Sequence, residues 1–253
     1  MREIKDMSVL ITGGGSGIGE GAARLFAAQG AKVTITGRRA DKVAAVAASI
    51  GPACQAVPGD VTVQWDREAM IAAAVAHGGK LDVLINNAGN MYRQAVGQYS
   101  EDVLKQAFDT NVIAAMMLSS MAVPLLEASR GAILFLGSIH NRRAYPGASP
   151  YATTKAAVEG LSRVMAAELG RRGIRVSCVL PGAVNTEINV RAGLLTPEES
   201  AARYASMASD HALGRIGSST EVAEAMVYLA SADWVTGVSL EVDGGLGLGV
   251  SKF

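Results

Sequence analysis

Tyr151 and Lys155 stand four residues apart in Tyr151-Ala152-Thr153-Thr154-Lys155, and Ser138 lies thirteen residues upstream. In a helix, side chains at i and i+4 share one face, one turn apart. A free phenol titrates near ~10, and an ammonium beside it favours the ionised form. The spacing therefore predicts a tyrosine poised to give or take a proton at an alcohol or carbonyl oxygen. Taken alone, this spacing is common. A second pattern, at the start of the chain, gives it weight.

That pattern is Thr12-Gly13-Gly14-Gly15-Ser16-Gly17-Ile18-Gly19. It follows the apolar run Ser8-Val9-Leu10-Ile11, which reads as a buried parallel strand. A helical pattern over 18–29 comes next, with Leu25 and Phe26 on its apolar side and Gly30 as its stop. Strand, glycine turn and helix form the context that a bound diphosphate requires. The glycines let the backbone approach, and the helix N-terminus offers free N–H groups and partial positive charge.

Around these residues, β-branched runs alternate with helical patterns. Strands are expected at 32–36, 54–57, 83–86, 132–136, 175–180 and 239–242, and helices at 41–50 (Asp41 as cap), 65–76, 103–128, 151–169 and 221–229. This rhythm predicts one α/β domain over 1–253: a doubly wound Rossmann domain, with a parallel sheet of about seven strands and helices on both faces. Residues 185–219 break the rhythm and read as a lid over a substrate.

The motifs resemble those of the short-chain dehydrogenase/reductase family over about residues 5–245. Besides the glycine turn and the Tyr151/Lys155 pair, the likeness rests on Asp60-Val61, Asn86-Asn87-Ala88-Gly89, Asn111, Ser138, Pro181-Gly182 with Thr186, and Asp243-Gly244-Gly245. The pattern is similar both to 3-oxoacyl-carrier-protein reductases and to glucose 1-dehydrogenase-like members. It implies an NAD(P)-dependent oxidoreductase moving a hydride between nicotinamide and a secondary alcohol or ketone of sugar, polyol or 3-oxoacyl type. A non-catalytic dinucleotide-binding redox sensor is the alternative.

The resemblance implies roles for single residues. Tyr151 acts as acid in reduction and base in oxidation. Lys155 lowers its pKa and holds the nicotinamide ribose. Ser138 positions the substrate oxygen. Asn111, a poor helix former inside a long helix, is read as kinking that helix and binding a relay water, or as a structural cap. Cofactor contacts are expected from Thr12, Gly13, Gly15, Ser16, Gly17, Ile18, Gly19, Gly37, Arg38, Asp60, Val61, Asn87, Ala88, Gly89, Pro181, Gly182, Val184 and Thr186, together with Tyr151 and Lys155. An acid at the end of the second strand would bond the ribose 2′-hydroxyl of NAD. The chain has Gly37 there, followed by Arg38 and Arg39. A guanidinium suits a 2′-phosphate, so NADP is favoured over NAD. Against this, Ser16 occupies a turn position where many NADP-using members carry a basic residue.

Three segments should wall the substrate space: 90–93, 139–145 and 185–212. They offer Tyr92, Arg93, His140, Asn141, Arg142 and Tyr145. His140 reads as a substrate contact or a solvated loop residue. Arg142 and Arg143 read as attracting an anion or as solvated.

Composition narrows the rest. Lys+Arg and Asp+Glu balance at 23 each, so no basic surplus suggests nucleic acid. The charged first residues are too short for a signal peptide. The apolar stretch over 112–126, broken by Ser119, Ser120 and Pro124, is expected to fall short of a membrane span. Two cysteines, Cys54 and Cys178, lack metal-ligand spacing, so no metal is expected, and they read as reduced thiols of a cytoplasmic protein. Ile113, Met116, Met117, Leu118 and Met121 lie nearly all round one helix, which must then be buried. The resemblance implies a homotetramer, in which this helix pairs along with the one starting at Tyr151, and the last strand and the apolar tail 246–253, including Leu248, Val250 and Phe253, pack across a second interface.

Overall fold

The computed structural model describes residues 1–249. Val250 and Phe253 of the apolar tail lie outside the described residues. The first half of the chain builds β1 (Ser8–Thr12), α1 (Gly17–Ala28), β2 (Lys32–Gly37), α2 (Ala40–Ile50), β3 (Cys54–Pro58), α3 (Gln64–Gly78) and β4 (Val83–Asn86). Next come α4 (Glu101–Phe108), a wide turn (Asp109–Ile113), α5 (Ala114–Ser129), β5 (Ala132–Leu136), α6 (Ser149–Leu169) and β6 (Arg175–Pro181). The chain continues through α7 (Ile188–Arg191), α8 (Pro197–Met207), α9 (Ser219–Ser231) and β7 (Ser239–Val242).

The seven strands form one parallel sheet in the order β3-β2-β1-β4-β5-β6-β7. Every residue of β1, β4 and β6 is buried, which explains their unbroken apolar character. Each face has its own core. On one, Phe26 of α1, Val43 of α2 and Met226 of α9 pack on Val9, Ile11 and Ile85. On the other, Met70 of α3, Leu118 of α5 and Val158 of α6 pack on Leu10, Leu84 and Ile133. Chain order reverses between β1 and β4, and ligands of such sheets bind in the crevice at that point.

Three expectations are corrected. Arg39, not Asp41, stands at the start of α2, and Asp41 sits in its first turn, where the helix dipole favours an acid. The helix expected over 103–128 runs through Pro124 as part of Glu101–Ser129, 29 residues of hydropathy 1.6, long and apolar enough to cross a membrane. The serines and the proline do not break it. Leu118, Ala122 and Leu126 bury its inner side in the domain core, while Ile113, Met116 and Met117 remain 44–48% exposed. The helix is therefore not apolar-buried all round within one chain. Near its start the α-helical ladder widens: the Ala114 N–H bonds Asp109 O, one residue further back than an α-turn.

Candidate active site

The α6 residues Tyr151, Lys155, Val158, Ser162, Ala166 and Leu169 are buried at three- and four-residue intervals. This periodicity turns Tyr151 and Lys155 together toward the sheet. Ser138 follows β5 and opens a short turn, Ile139–Asn141, where the His140 N–H donates to Ser138 Oγ at 3.3 Å. All three side chains face one cavity, which also takes in the glycine turn.

Burial pushes the Tyr151 phenol up to about 12, eased by its hydrogen bond with Ser138. Lys155 was expected to lower it. Instead the Lys155 Nζ donates to Leu136 O at 2.7 Å and lies 5.7 Å from the centroid of the Tyr151 ring. Burial brings the lysine itself down to about 8, so desolvation is the largest influence on both groups in this geometry.

Asn111 sits in the wide turn and does not line the cavity. Its Nδ2 donates to Asn90 O and to Thr154 Oγ1, both at 3.0 Å, and its Oδ1 accepts the Asn90 N–H at 2.9 Å. It thereby ties the loop after β4 to the Tyr151 helix.

The glycine turn behaves as its sequence demands. Gly13 and Gly17 have φ of +69° and +57°. A Cβ at Gly17 would stand 3.0 Å from Thr186 Cγ2, in the space a diphosphate needs. Ser16 gives α1 no side-chain cap, which leaves the N–H groups of the first turn free. Gly13, Gly15, Ser16, Gly17, Ile18, Gly37, Arg38, Asp60, Val61, Asn87, Ala88, Gly89, Pro181, Gly182, Val184 and Thr186 all line the cavity. These residues fit a dinucleotide.

Two expected contacts lie behind the wall. Thr12 Oγ1 accepts the N–H groups of Asn87 and Ala88 at 3.1 and 2.9 Å, bracing the turn against the end of β4. A Cβ on Gly19 would collide with Gly13 O, so its role is close packing of α1 on the turn. Asp60 keeps one carboxylate oxygen on Thr62, and its other oxygen lies 3.9 Å from Arg38.

The substrate walls divide. Arg93, His140 and Tyr145 line the cavity, and Tyr92, Asn141 and Arg142 do not. Tyr92 bonds Thr110. Arg142 grips Glu159 at 2.6 and 3.1 Å and Glu241 at 2.8 Å, and Asn141 donates to Glu159 at 2.8 Å. That arginine is therefore a structural partner of a buried acid. His140 is not a solvated loop residue: its Nδ1 lies 3.0 Å from Ser138 Oγ, and its ring meets Tyr151 edge-on at 5.1 Å and Tyr145 at 4.4 Å. Burial first, then Arg93, Arg203 and Lys155, hold its pKa down at about 4.

Sequence reading missed Arg39, Arg191 and Arg203 as cavity residues. Arg39 reaches Ser16 Oγ and Glu187, both at 3.0 Å. Arg191 donates to Gly89 O at 2.6 Å, across the cleft from its own helix. No local pattern marks either residue. The one signal was their place in the segment after β6 or beside Arg38.

Comparison with known proteins agrees with this geometry. A family model described as Enoyl-(Acyl carrier protein) reductase matches residues 13–247. A glucose 1-dehydrogenase of Gluconobacter oxydans is 34% identical, over 95% of this chain and 91% of its own. A short-chain dehydrogenase/reductase of unknown function from Caenorhabditis elegans, solved with cofactor, superposes with a TM-score of 0.93 at 30% identity, over 98% of each chain. A 3-ketoacyl-(acyl-carrier-protein) reductase of Brucella melitensis, complexed with NADH, gives 0.88 at 30% identity, over 96% of this chain and 99% of that one.

Proposed function

The chain belongs to the short-chain dehydrogenase/reductase family, as a dehydrogenase/reductase of CH–OH and carbonyl groups, and on that premise we propose that Tyr151 is its acid–base group, acting on a secondary alcohol or its ketone. The observation that carries this reading is the convergence of the Tyr151 phenol, the Ser138 hydroxyl and the Lys155 ammonium on the wall of a cavity that begins at the glycine turn.

A bound nicotinamide supplies the carbon that accepts or donates hydride and, when oxidised, a positive charge. Gly13, Ser16, Gly17 and Thr186 would hold the diphosphate of the dinucleotide that carries it, and Asp60 and Val61 the adenine. Tyr151 takes the hydroxyl proton of the alcohol in oxidation and returns a proton to the carbonyl oxygen in reduction. Ser138 donates a hydrogen bond to that same oxygen and fixes its position. Lys155 keeps a positive charge behind the phenol, and Asn111 holds the backbone between them, partly through Thr154. Residues 185–219 act as the lid.

NADP is the favoured cofactor. Gly37 brings no acid to the ribose, and Arg38 and Arg39 both line the cleft. The basic group absent at position 16 comes from Arg39, whose guanidinium rests on Ser16 Oγ. The half-exposed Ile113, Met116 and Met117 support pairing of that helix with a second copy in a homotetramer, which light scattering tests by mass. The two free, buried thiols support a cytoplasmic home.

The direct test follows nicotinamide absorbance while the protein meets sugars, polyols, 3-oxoacyl thioesters and simple ketones, each with NADP(H) and NAD(H). Turnover with one class supports the reading and names the substrate. Silence across the panel, with cofactor bound, counts for the sensor.

A further inference from the structure

Beyond His140 the cavity turns strongly cationic. Arg93, from the loop after β4, and Arg203, from α8, line it from segments 110 residues apart in sequence. Neither is paired with a carboxylate among the described residues. Two acids lie close enough to raise the Tyr145 pKa without lining the cavity: Asp210, 3.9 Å from Arg143, and Asp243, which accepts the N–H groups of Gly245 and Gly247 at 2.9 and 2.7 Å. Two like charges converging on a partly desolvated space repel each other unless an anion lies between them. Burial, then Arg203, lowers the Arg93 pKa, and both guanidiniums depress His140. At the same end the Tyr145 hydroxyl and His140 Nε2 are buried without a partner among the described residues. A fully satisfied wall would not leave such atoms unpaired.

We propose that Arg93 and Arg203, with the Tyr145 hydroxyl, form an oxyanion subsite, so that the substrate is a secondary alcohol or ketone carrying a carboxylate or phosphate. Guanidinium forks match both groups in a bidentate way. The His140 ring separates this subsite from Tyr151, touching Tyr145 on one side and Tyr151 on the other. The anion therefore anchors one end of the substrate while the carbinol lies at Tyr151 and Ser138. This inference rests on the oxidoreductase reading and adds the charge of the substrate to it.

The experiment compares 3-hydroxybutanoate, 3-hydroxybutanamide and 2-hydroxypropyl phosphate as substrates of the full chain. The anion should be preferred over the amide by at least about tenfold in kcat/KM, the worth of one charge-assisted hydrogen bond. That ratio should fall toward one in Arg93→Gln/Arg203→Gln. Whichever of carboxylate and phosphate is faster names the source of the oxyanion. Equal turnover of amide and anions by the wild type overturns the subsite and leaves the oxidoreductase reading standing. If no carbinol is turned over, malonate and inorganic phosphate decide by thermal shift. A rise in Tm that disappears in the double variant supports the subsite even as the reaction reading suffers, and no rise with either anion overturns it.

Discussion

The Lys155 Nζ is hydrogen-bonded to Leu136 O at 2.7 Å and stands 5.7 Å from the centre of the Tyr151 ring. The lysine is 4% exposed, and burial has brought its pKa from 10.5 to about 8. The unfolded chain thus keeps a proton that the folded one releases between these values. Where the unfolded state binds more protons, stability rises with pH. The contribution of Lys155 to folding should therefore strengthen from pH 8 toward 10, by about 2 kcal/mol, while the buried thiols of Cys54 and Cys178, pushed up from 9.0 to about 11 and about 12, work the other way above pH 9. Urea unfolding of wild type and Lys155→Met across that window checks it. The rise belongs to the lysine only if the variant lacks it.

Tyr151→Phe keeps the ring and removes the proton. Turnover should drop by at least ~100-fold, within the usual worth of a positioned acid–base group. Cofactor affinity should remain near that of the wild type. Single-turnover rates and a cofactor titration separate the two, and wild-type turnover would remove Tyr151 from the mechanism.

Cofactor choice can be moved at the end of β2. An acid placed by Gly37→Asp would repel a 2′-phosphate and bond a 2′-hydroxyl. Its Cβ would meet only Val43 Cγ1, at 3.2 Å, a contact that a small shift relieves. The ratio of kcat/KM with NADP to that with NAD should fall at least about tenfold, the worth of one hydrogen bond to a charged group. An unchanged ratio would mean that the ribose lies elsewhere.

Arg175 is a stability position away from the cavity. Its guanidinium donates to the carbonyls of Leu229, Ala230 and Ala232 at the end of α9, at 2.6 to 3.1 Å. Arg175→Met would strand buried acceptors and cost about 3 kcal/mol. For a domain of this size the melting temperature should fall by roughly 6–12 °C. Scanning calorimetry reads the shift, and kcat should change little.

Elements with a strong local code were legible from sequence. The glycine turn and the run before it dictate a buried strand, a tight turn and an uncapped helix. Tyr151 and Lys155 share a face because four residues make about one helical turn. What was not legible depends on distance in sequence. Arg203 meets the surroundings of Arg93 only after the sheet has folded, and Arg39 finds Ser16 and Glu187 in the same way. Glu159 looks like an ordinary exposed acid until Arg142 folds back onto it. The phenol was expected below its usual pKa because pair spacing is visible in sequence and desolvation is not.

The wide turn at Asp109–Ile113 makes the long helix one residue longer than its neighbours require. A single-residue deletion there would restore an even α-helical pitch, and the surroundings of the segment would look unharmed. The wide turn absorbs that residue, so the faces on either side of it would stay in register, and the cost would be the aim of Asn111 at Asn90 and Thr154. A deletion in the regular turns beyond it is different, because each residue there subtends about 100° and everything downstream would rotate by that angle. Leu118, Ala122 and Leu126 would swing out of the core, and Met116 and Met117 would swing away from the surface they now present. Chain length is therefore locked beyond the wide turn: substitutions can drift through the regular helix, but single-residue insertions and deletions cannot.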